Sequence, residues 1–252
     1  MKIISCNVNG IRSAYKKGLI DFVKKEDPDI FCLQEIKAKK EDLNDELLNI
    51  SGYSLFINSA DKKGHSGVAI YTKVKPNFIN KKLDLERFDS EGRLLELEFF
   101  DFTIFNLYIP HGGRQKENLD YKLQVYQKLI NRIKNLTTKN IILIGDFNIA
   151  HTEIDLARPK QNKNNIMFTL EERSQINKLI DLGFVDSFRC KNKETDNYTW
   201  WPYAFNARVR NMGWRIDYIF TSNGLLEKIN KTNIYSEIIM SDHCPIGLNL
   251  KI

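Results

Sequence analysis

The chain has 252 residues, 42% hydrophobic content and a formal net charge of +6. This length suits one large domain or two small ones. No Pro/Gly/Ser-rich linker, low-complexity tract or internal repeat divides it, so we predict a single domain over residues 1–252. The apolar runs fall short of the roughly 18–20 residues of a membrane span, and MKIISCNVNG turns polar too early for a secretory signal. We therefore expect an intracellular protein with no membrane partner.

Strand-like runs recur along the whole chain, each rich in β-branched or aromatic residues and each bounded by a turn signal. They are KIISCNV, DIFCLQE, YSLFIN, GVAIYTK, RLLELEFF, FTIFNLYI, NIILIGDF, RIDYIFTS and PIGLNLKI. Apolar residues at helical spacing predict helices over residues 11–25, 118–136 and 170–182, the last with Thr169 and Glu172 as a capping box. The many strands, several of them alternating, predict an α/β sandwich of two packed mixed sheets flanked by helices.

The cysteines and the net charge narrow the class of protein further. Cys6, Cys32, Cys190 and Cys244 lie far apart and form no CxxC pair, which favours buried free thiols over a zinc site or a disulfide framework. The basic balance raises the expectation of an anionic partner such as nucleic acid.

Polar and ionisable side chains stand where the predicted strands end. They are Asn7, Asn9, Gln34, Glu35, Tyr108, His111, Asp146, Asn148, Asp217, Asp242 and His243. Each has a structural alternative: Asp and Asn serve turns, Tyr108 could be a core residue, and Asp217 could pair with Arg215 or Arg208. Together they suggest a site, because buried carboxylates need partners or a metal. Oxygen ligands without thiolates suit a hard cation such as Mg²⁺ or Mn²⁺.

Such a set of side chains suits hydrolysis of a phosphodiester, which needs charge neutralisation, an oriented water and a protonated leaving group. Asp146 and Asn148 stand two residues apart at one strand end, so they can share one water. The Asp–His step at 242–243 supplies an imidazole that a carboxylate such as Asp217 can hold. A serine hydrolase is excluded by the lack of a GxSxG motif.

Several segments carry a specific resemblance to a known family. They are NVNGIRS (7–13), LQEIK (33–37), NLYIP (106–110), GDFNIAHTEIDLARPK (145–160), YTWWPY (198–203), GWRIDY (213–218) and SDHCPI (241–246). The chain resembles the exonuclease III family of apurinic/apyrimidinic endonucleases, within the deoxyribonuclease-like endonuclease/exonuclease/phosphatase superfamily. The resemblance implies a four-layer α/β sandwich, and a monomer that cleaves duplex DNA on the 5′ side of abasic sites and leaves a 3′-hydroxyl. It also implies 3′→5′ exonuclease or 3′-phosphodiesterase activity.

The resemblance also implies roles for individual residues. Glu35 is expected to be the principal Mg²⁺ ligand, Asp146 to activate water, and Tyr108 to contact the phosphate or leaving group. Asp217 and His243 are expected to form a carboxylate–imidazole pair at the scissile phosphate, with Asn148 orienting the water. The wider set of expected metal ligands is Asn7, Asn9, Glu35, Asp146, Asn148, Asp242 and His243.

For DNA, the resemblance implies a pocket for the baseless sugar lined by Trp200, Trp214 and Ile216. Asn162 and Asn165 are expected to grip phosphates, and Arg114 to reach a groove. Weaker candidates are Lys37, Arg208 and Arg210, since exposed basic residues are usually solvated surface. For Trp201 and Tyr203 we favour plain core packing.

Some positions depart from the family pattern and put the substrate range in doubt. Asn9 stands where some members have Asp, which removes a negative charge near the expected metal. The other departures are Cys6, Ile166, Met167, Ala204 and the Gly-rich loop HGGRQ (111–115). Two alternative functions also remain: a phosphatase of lipid or inositol phosphates, which would share the same polar set, and a non-catalytic DNA-binding module.

Overall fold

The computed structural model describes residues 1–136 and 140–251, so Ile252 of the predicted run PIGLNLKI lies outside the described residues. Two six-stranded sheets form its centre. The strands are β1 (Lys2–Asn7), β2 (Ile30–Gln34), β3 (Ser54–Asn58), β4 (Val68–Thr72), β5 (Phe78–Asn80), β6 (Leu94–Glu98), β7 (Thr103–Tyr108), β8 (Ile141–Asp146), β9 (Phe184–Asp186), β10 (Asp217–Ser222), β11 (Ile229–Ile234) and β12 (Ile246–Leu250).

Both sheets are mixed, as predicted. The first has the strand order β11-β12-β1-β2-β4-β3 and the second has the order β5-β6-β7-β8-β10-β9. Each contains one parallel pair at its centre, β1 with β2 and β7 with β8, and antiparallel neighbours on either side. The carboxyl ends of parallel strands meet at the same edge of a sheet. The polar residues that end these four strands therefore collect at two sheet edges.

The helices are α1 (Ile11–Lys16), α2 (Leu19–Glu26), α3 (Asp45–Leu48), α4 (Glu86–Ser90), α5 (Leu119–Lys134) and α6 (Leu170–Asp181). The predicted helix over 170–182 is confirmed, with its capping box between Thr169 and Glu172. The prediction of one helix over 11–25 is wrong, because Gly18 adopts φ 93° and this left-handed backbone divides α1 from α2. None of the described helices has the length and apolar character needed to cross a bilayer.

Apolar side chains pack in the space between the sheets and on the outer face of each sheet. Ile70 of β4 and Ile144 of β8 belong to the central layer. On the outside of the first sheet, Phe22 of α2 contacts Phe31 of β2. On the outside of the second, Val125 of α5 belongs to the cluster that covers β7 and β8. The order helix, sheet, sheet, helix is the predicted four-layer sandwich.

A polar link joins the two sheets within this apolar layer. Gln34 of β2 donates from Nε2 to Asn106 Oδ1 of β7 at 2.6 Å. The Asn106 amide donates in turn to the carbonyls of Leu33 and Ala69, at 3.0 and 2.9 Å. Hydrogen bonds stabilise these buried amides, so the pair favours one alignment of the sheets, while Gln34 Oε1 is buried without a hydrogen-bond partner among the described residues.

The four cysteines are free thiols, as predicted. Cys6, Cys32 and Cys244 are buried and Cys190 is half-buried. Burial raises the pKa of the Cys6 thiol well above its usual value, so this residue is an inert part of the core.

Candidate active site

Three neighbouring strands of the second sheet place a row of polar side chains at one edge. Tyr108 at the end of β7 lies opposite Asp146 at the end of β8, and Asp146 lies opposite Asp217 at the start of β10. Asp146 and Asp217 are 2% and 3% exposed. The strand register therefore brings together three residues that the sequence placed far apart.

The chain turns sharply after β8. Asn148 has φ 51°, its backbone N–H donates to Asp146 Oδ1 at 2.9 Å, and its side-chain amide donates to Asp146 Oδ2 at 3.2 Å. From the first sheet, Asn7 Nδ2 also donates to Asp146 Oδ2, at 2.9 Å. The glycine before Asp146 is required, because a Cβ on Gly145 would lie 2.1 Å from the Leu107 carbonyl oxygen. The Asp146 carboxylate is thus fixed by donors from both sheets.

His243 and Asp217 form the predicted carboxylate–imidazole pair. His243 Nδ1 lies 2.9 Å from Asp217 Oδ2, and the Thr199 hydroxyl donates to that same oxygen at 2.6 Å. The other ring nitrogen, Nε2, faces Asp146 Oδ2 at 3.9 Å. The imidazole therefore stands between two buried carboxylates.

Neither of the alternative partners of Asp217 is used. Arg215 pairs with Asp155 Oδ1 at 2.8 Å and with Asp186 Oδ2 at 2.7 Å, both as buried ion pairs. Arg208 donates to three backbone carbonyls, those of Ser236, Ile238 and Ser241, and its guanidinium stacks on the Trp201 ring at 4.6 Å. Arg208 therefore has a structural role within the protein. It was only a weaker candidate for DNA contact.

A second group of oxygen ligands lies at the edge of the first sheet. Glu35 accepts a hydrogen bond from the Tyr108 hydroxyl and pairs with Lys37 Nζ at 2.9 Å. Lys37 also donates to Asn9 Oδ1, and Asn9 Nδ2 donates to Asp242 Oδ1 at 3.0 Å. The expected metal ligands Glu35, Asn9 and Asp242 thus lie in one chain of contacts, with an ammonium group among them.

Burial and neighbouring charges shift the proton affinities in the site. Burial, followed by the Asp217 charge, raises the pKa of Asp146 to about 7. Burial alone would lower the pKa of His243, but the charge of Asp217 and its hydrogen bond raise that pKa to about 10. Burial and the nearby Glu35 charge raise the pKa of Tyr108 well above its usual value. At neutral pH His243 is therefore a cation and Tyr108 a hydrogen-bond donor.

The residues fit a hard metal ion. Asp146, Asp217 and His243 place one oxygen or nitrogen atom each within 4.8 Å of the others, and the two carboxylates among them can ligate a cation while the ring is protonated. Asp217 Oδ1 is buried with no hydrogen-bond partner among the described residues, which is costly unless a cation or water meets it. Asp217 was expected only as the partner of His243, so its place in this cluster is an addition to the predicted ligand set.

Comparison with known proteins identifies the family. The sequence model of the Endonuclease/Exonuclease/phosphatase family matches residues 4–243. The chain belongs to this family.

Named relatives and a solved structure give the same result. A Bacillus subtilis exodeoxyribonuclease is 40% identical over 100% of both chains. A Dictyostelium discoideum DNA-(apurinic or apyrimidinic site) endonuclease is 41% identical over 98% of this chain and 70% of its own. A Neisseria 3′ phosphatase bound to a product DNA hairpin superposes with a TM-score of 0.92 at 26% identity, covering 100% of both chains. The resemblance read from the sequence motifs is confirmed, and the chain is a hydrolase of the nuclease type.

The tryptophans expected to line a pocket lie next to His243 in this chain. Trp200 and Trp214 pair through their backbones, and Trp200 donates from Nε1 to Asp242 Oδ2 at 3.0 Å. Trp214 and Ile216 pack with Ile166 in one cluster, so the departure at Ile166 lies beneath the expected pocket. Ile216 is only 1% exposed and offers almost no surface for direct contact.

The residues expected to contact DNA differ in whether their side chains already form hydrogen bonds within the protein. Arg114 is exposed and makes no hydrogen bond or ion pair with the described residues. Asn162 is occupied within its own loop: its amide donates to the Ala157 and Arg158 carbonyls at 3.1 Å, and its Oδ1 accepts from Asn165 at 3.0 Å. In this structure Asn162 therefore shapes the loop that presents Asn165.

The segment after the tryptophans departs from expectation. Trp201 is buried as predicted, but Tyr203 is 72% exposed, so its assignment to the core was wrong. Phe205 is 88% exposed and has φ 58°, an unusual backbone for an aromatic residue. Together with the exposed Tyr203, Phe205 gives this segment an apolar surface around the small Ala204. No sequence pattern distinguishes such an aromatic residue from a core residue.

Sequence reasoning also missed residues that hold the site in place. Thr199 supports Asp217, and Arg93 stacks on the Tyr108 ring at 4.3 Å while donating to the Tyr108 carbonyl at 3.1 Å. Lys122 donates to the Asn148 carbonyl. One signal for Lys122 was available, because it is a charged residue on the apolar face of a predicted amphipathic helix.

Proposed function

We propose that this chain is a DNA repair endonuclease that hydrolyses the phosphodiester 5′ to an abasic site in duplex DNA and leaves a 3′-hydroxyl. We propose in addition 3′→5′ exonuclease and 3′-phosphodiesterase activity. The observation that carries the proposal is the buried Asp146 with the His243–Asp217 pair beside it, next to a tryptophan-lined surface. The names of the relatives, an exodeoxyribonuclease and an apurinic-site endonuclease, support the same reaction and substrate.

In this proposal Asp146 accepts the proton of the attacking water. A carboxylate with a pKa of about 7 is well matched to that role at neutral pH, because it is partly ionised and takes up a proton readily. Asn7 and Asn148 donate to its oxygens and so fix its direction. Such positioning is a large part of the catalysis of phosphoryl transfer.

His243 is proposed to stabilise negative charge on the phosphoryl oxygens. Its ring is a cation at neutral pH, since its pKa is raised to about 10, and Asp217 holds it through Nδ1. Nε2 is left to face the substrate. A charged donor that is already oriented in a buried site needs no reorganisation when the charge develops. The protonated Tyr108 hydroxyl is a second donor, at the Glu35 side of the site.

We propose Mg²⁺ as the cofactor, with Mn²⁺ as a substitute. The residues proposed to hold it are Glu35 and Asp242 with Asn7 or Asn9, and the carboxylates of Asp146 and Asp217 lie next to them. When bound, the ion supplies positive charge to phosphate oxygens and to the leaving oxygen. All these donors are carboxylate or amide oxygens, the ligands that such a hard cation prefers.

The Trp200–Trp214 surface is proposed to receive the baseless sugar. A damaged nucleotide is the cheapest to swing out of the stack, and a small apolar pocket excludes one that keeps its base. We propose further that the protein acts on this DNA as an intracellular monomer with no membrane partner.

The test uses an end-labelled duplex with one abasic-site analogue, in Mg²⁺ or in EDTA. The wild type is compared with Asp146→Asn and with the matched surface control Asp120→Asn on α5. We expect one metal-dependent cut 5′ to the lesion with an extendable 3′-hydroxyl, reduced about 10²–10⁴-fold in Asp146→Asn and unchanged in the control. Full cleavage by a folded Asp146→Asn protein would show that the assignment of the water-activating group is wrong.

A second substrate separates the remaining functions. A duplex ending in a 3′-phosphate tests the activity named for the Neisseria structure. Progressive 3′ shortening with intact abasic DNA would make the chain chiefly an exonuclease. Hydrolysis of inositol phosphates without cleavage of DNA would support the phosphatase alternative, and DNA binding without any cleavage would support the non-catalytic module.

A further inference from the structure

Lys122 is a charged residue with no exposed surface, on the inner face of α5. Its ammonium group meets acceptors from three separate segments. The distances from Nζ are 2.6 Å to the Asn148 carbonyl, 3.3 Å to the His111 carbonyl and 2.5 Å to Glu172 Oε1. An ammonium has three N–H donors, so each acceptor can take one of them. A buried charge satisfied in this way fixes the relative positions of the groups around it.

One of those groups is the turn that follows Asp146. The Asn148 backbone is left-handed at φ 51°, a conformation that few non-glycine residues adopt. Its N–H and its side chain donate to Asp146, while its carbonyl accepts from Lys122 on the opposite side. Asn148 is therefore held from two directions, and Lys122 is the only side chain in the described part of the chain that donates to its carbonyl.

The other end of the interaction reaches the loop expected to contact DNA. Glu172 Oε1 accepts the Met167 N–H at 3.0 Å as well as the Lys122 ammonium, and Oε2 accepts the Thr169 N–H at 3.1 Å. Met167 and Thr169 close the loop over residues 158–168 that contains Asn162 and Asn165. The Lys122–Glu172 pair thus connects this loop to the turn that carries Asn148.

We infer that Lys122 is a positioning residue: through the Asn148 carbonyl it holds Asn148 and Asp146 in the orientation needed for cleavage, and through Glu172 it ties that turn to the 158–168 loop. This inference rests on the proposed function of Asp146 and Asn148. It differs from a general role in folding, because its effect on the rate passes through Asn148.

The first experiment compares Lys122→Met with Lys122→Arg on the abasic duplex. Methionine fills much of the same space without donors, whereas arginine keeps the charge and can still donate to carbonyls. We expect Lys122→Met to lower kcat about 10²-fold with KM changed less than threefold, since displacement of a catalytic group by about 1 Å has an effect of this size. Lys122→Arg should recover most of the rate.

The matched control is Arg132→Met, on the same helix. Arg132 Nη2 pairs with the buried Glu96 Oε1 at 2.8 Å, so its loss also breaks an ion pair on α5 but touches no residue of the site. At a temperature where both variants are folded by circular dichroism, Arg132→Met should keep its kcat. An equal fall in kcat for both variants would mean that Lys122 acts only through the stability of α5.

A double-mutant cycle then tests the route. In an Asn148→Ala background, Lys122→Met should lower kcat clearly less than 10²-fold further, because the Asn148 side chain that it positions is already lost and only the backbone N–H of residue 148 still donates to Asp146. A full additional 10²-fold loss would overturn the inference. If Lys122→Met does not fold, the cycle is run with Glu172→Gln, for which we expect about a tenfold loss that is likewise clearly smaller in the Asn148→Ala background.

These results are separable from those for the proposed function. If Asp146→Asn is inactive while Lys122→Met keeps the wild-type kcat, the proposed function stands and the inference fails. If Asp146→Asn is fully active, the proposed function fails first.

Discussion

His243 Nδ1 lies 2.9 Å from Asp217 Oδ2, and both side chains are buried. Because one oxygen of this carboxylate also accepts the Thr199 hydroxyl, the ring is held in a single orientation with Nε2 turned toward Asp146. The relationship makes the charge of the imidazole depend on one neighbouring residue, and it can be tested directly.

Asp217→Asn should lower the pKa of His243 toward or below 6.5. Burial favours the neutral ring, and the Asp217 charge is the largest of the effects that overcome it, raising the pKa to about 10. At pH 8 the wild-type ring is therefore charged, and the charged fraction should be smaller in the variant, so the cleavage rate at pH 8 should fall in the variant. The measurement is an NMR titration of His243 in the metal-free protein. A variant ring that still titrates near pH 10 would assign the shift to another group.

Asn9→Asp should make the enzyme need less Mg²⁺. The side chain of Asn9 now donates to Asp242 Oδ1 at 3.0 Å, and a carboxylate there would repel Asp242 until a cation is bound. We expect half-maximal cleavage at a several-fold lower Mg²⁺ concentration, with lower thermal stability in EDTA. The opposite change is expected for Glu35→Gln. Half-maximal cleavage by this variant should require an Mg²⁺ concentration at least about tenfold higher. An unchanged Mg²⁺ requirement in both variants would place the ion elsewhere.

Asp155→Asn should destabilise the fold at neutral pH. Burial would raise the pKa of Asp155, but the Arg215 and Arg189 guanidinium groups lower it to about 2. A lowered pKa means that the carboxylate stabilises the folded chain above its unfolded value of 3.8, and that this contribution is lost as the pH falls from there through about 2. Breaking a buried pair of this kind costs about 3–5 kcal/mol.

The measurement for Asp155→Asn is urea unfolding at pH 7, 4 and 2.5. Between the last two values the variant should lose less stability than the wild type. The exposed Asp181→Asn variant is the control and should follow the wild type at every pH. Equal acid sensitivity of Asp155→Asn and the wild type would contradict the assignment of this part of the acid transition to Asp155.

Arg114→Ala should weaken the binding of duplex DNA. It should also reduce the dependence of that binding on salt concentration. If the complex neutralises about 6–10 phosphates, affinity should fall by roughly 10³–10⁵ between 50 and 200 mM salt. Removal of the positive charge that Arg114 brings to the groove between the phosphates should reduce the slope of log affinity against log salt by up to about 1. The control is Lys25→Ala, a residue far from the candidate site. Its neighbour Glu26 pairs with Lys2 at the start of β1, whereas Asn7 of the site lies at the other end of that strand. The same slope for wild type and Arg114→Ala would remove Arg114 from the interface.

The fold could be predicted from the sequence where local patterns are strong. Alternation and apolar runs located the strands that carry Asn7, Tyr108 and Asp146, and the Thr169–Glu172 capping box located α6. Strand β11, with the sequence INKTNI, was missed. Its four central residues are all polar, so the strand does not show the alternation of polar and apolar residues that is typical of a half-buried strand. The break at Gly18 was missed because apolar spacing continues across it.

The sequence predicted a set of candidate site residues and the pairing of Asp217 with His243, but it did not predict the remaining contacts. The sequence placed Asp217 and His243 in one site, while Arg215 and Arg208 remained possible partners of Asp217. That choice depends on how residues 199, 217 and 243 meet in space, and no local pattern encodes it. Thr199 escaped notice for the same reason, since it acts on a residue that is distant in the chain. Lys122 was missed although its charge on the apolar face of a predicted helix was a usable signal.

The hydrogen bond from Asn7 to Asp146 crosses from one sheet to the other, as does the Gln34–Asn106 pair. The candidate catalytic carboxylate is therefore oriented by a residue that belongs to a different layer. Slippage of one sheet past the other by a fraction of the residue spacing of about 3.3 Å would break this bond while leaving every strand intact. On gradual denaturation, nuclease activity should disappear before the far-ultraviolet circular dichroism changes.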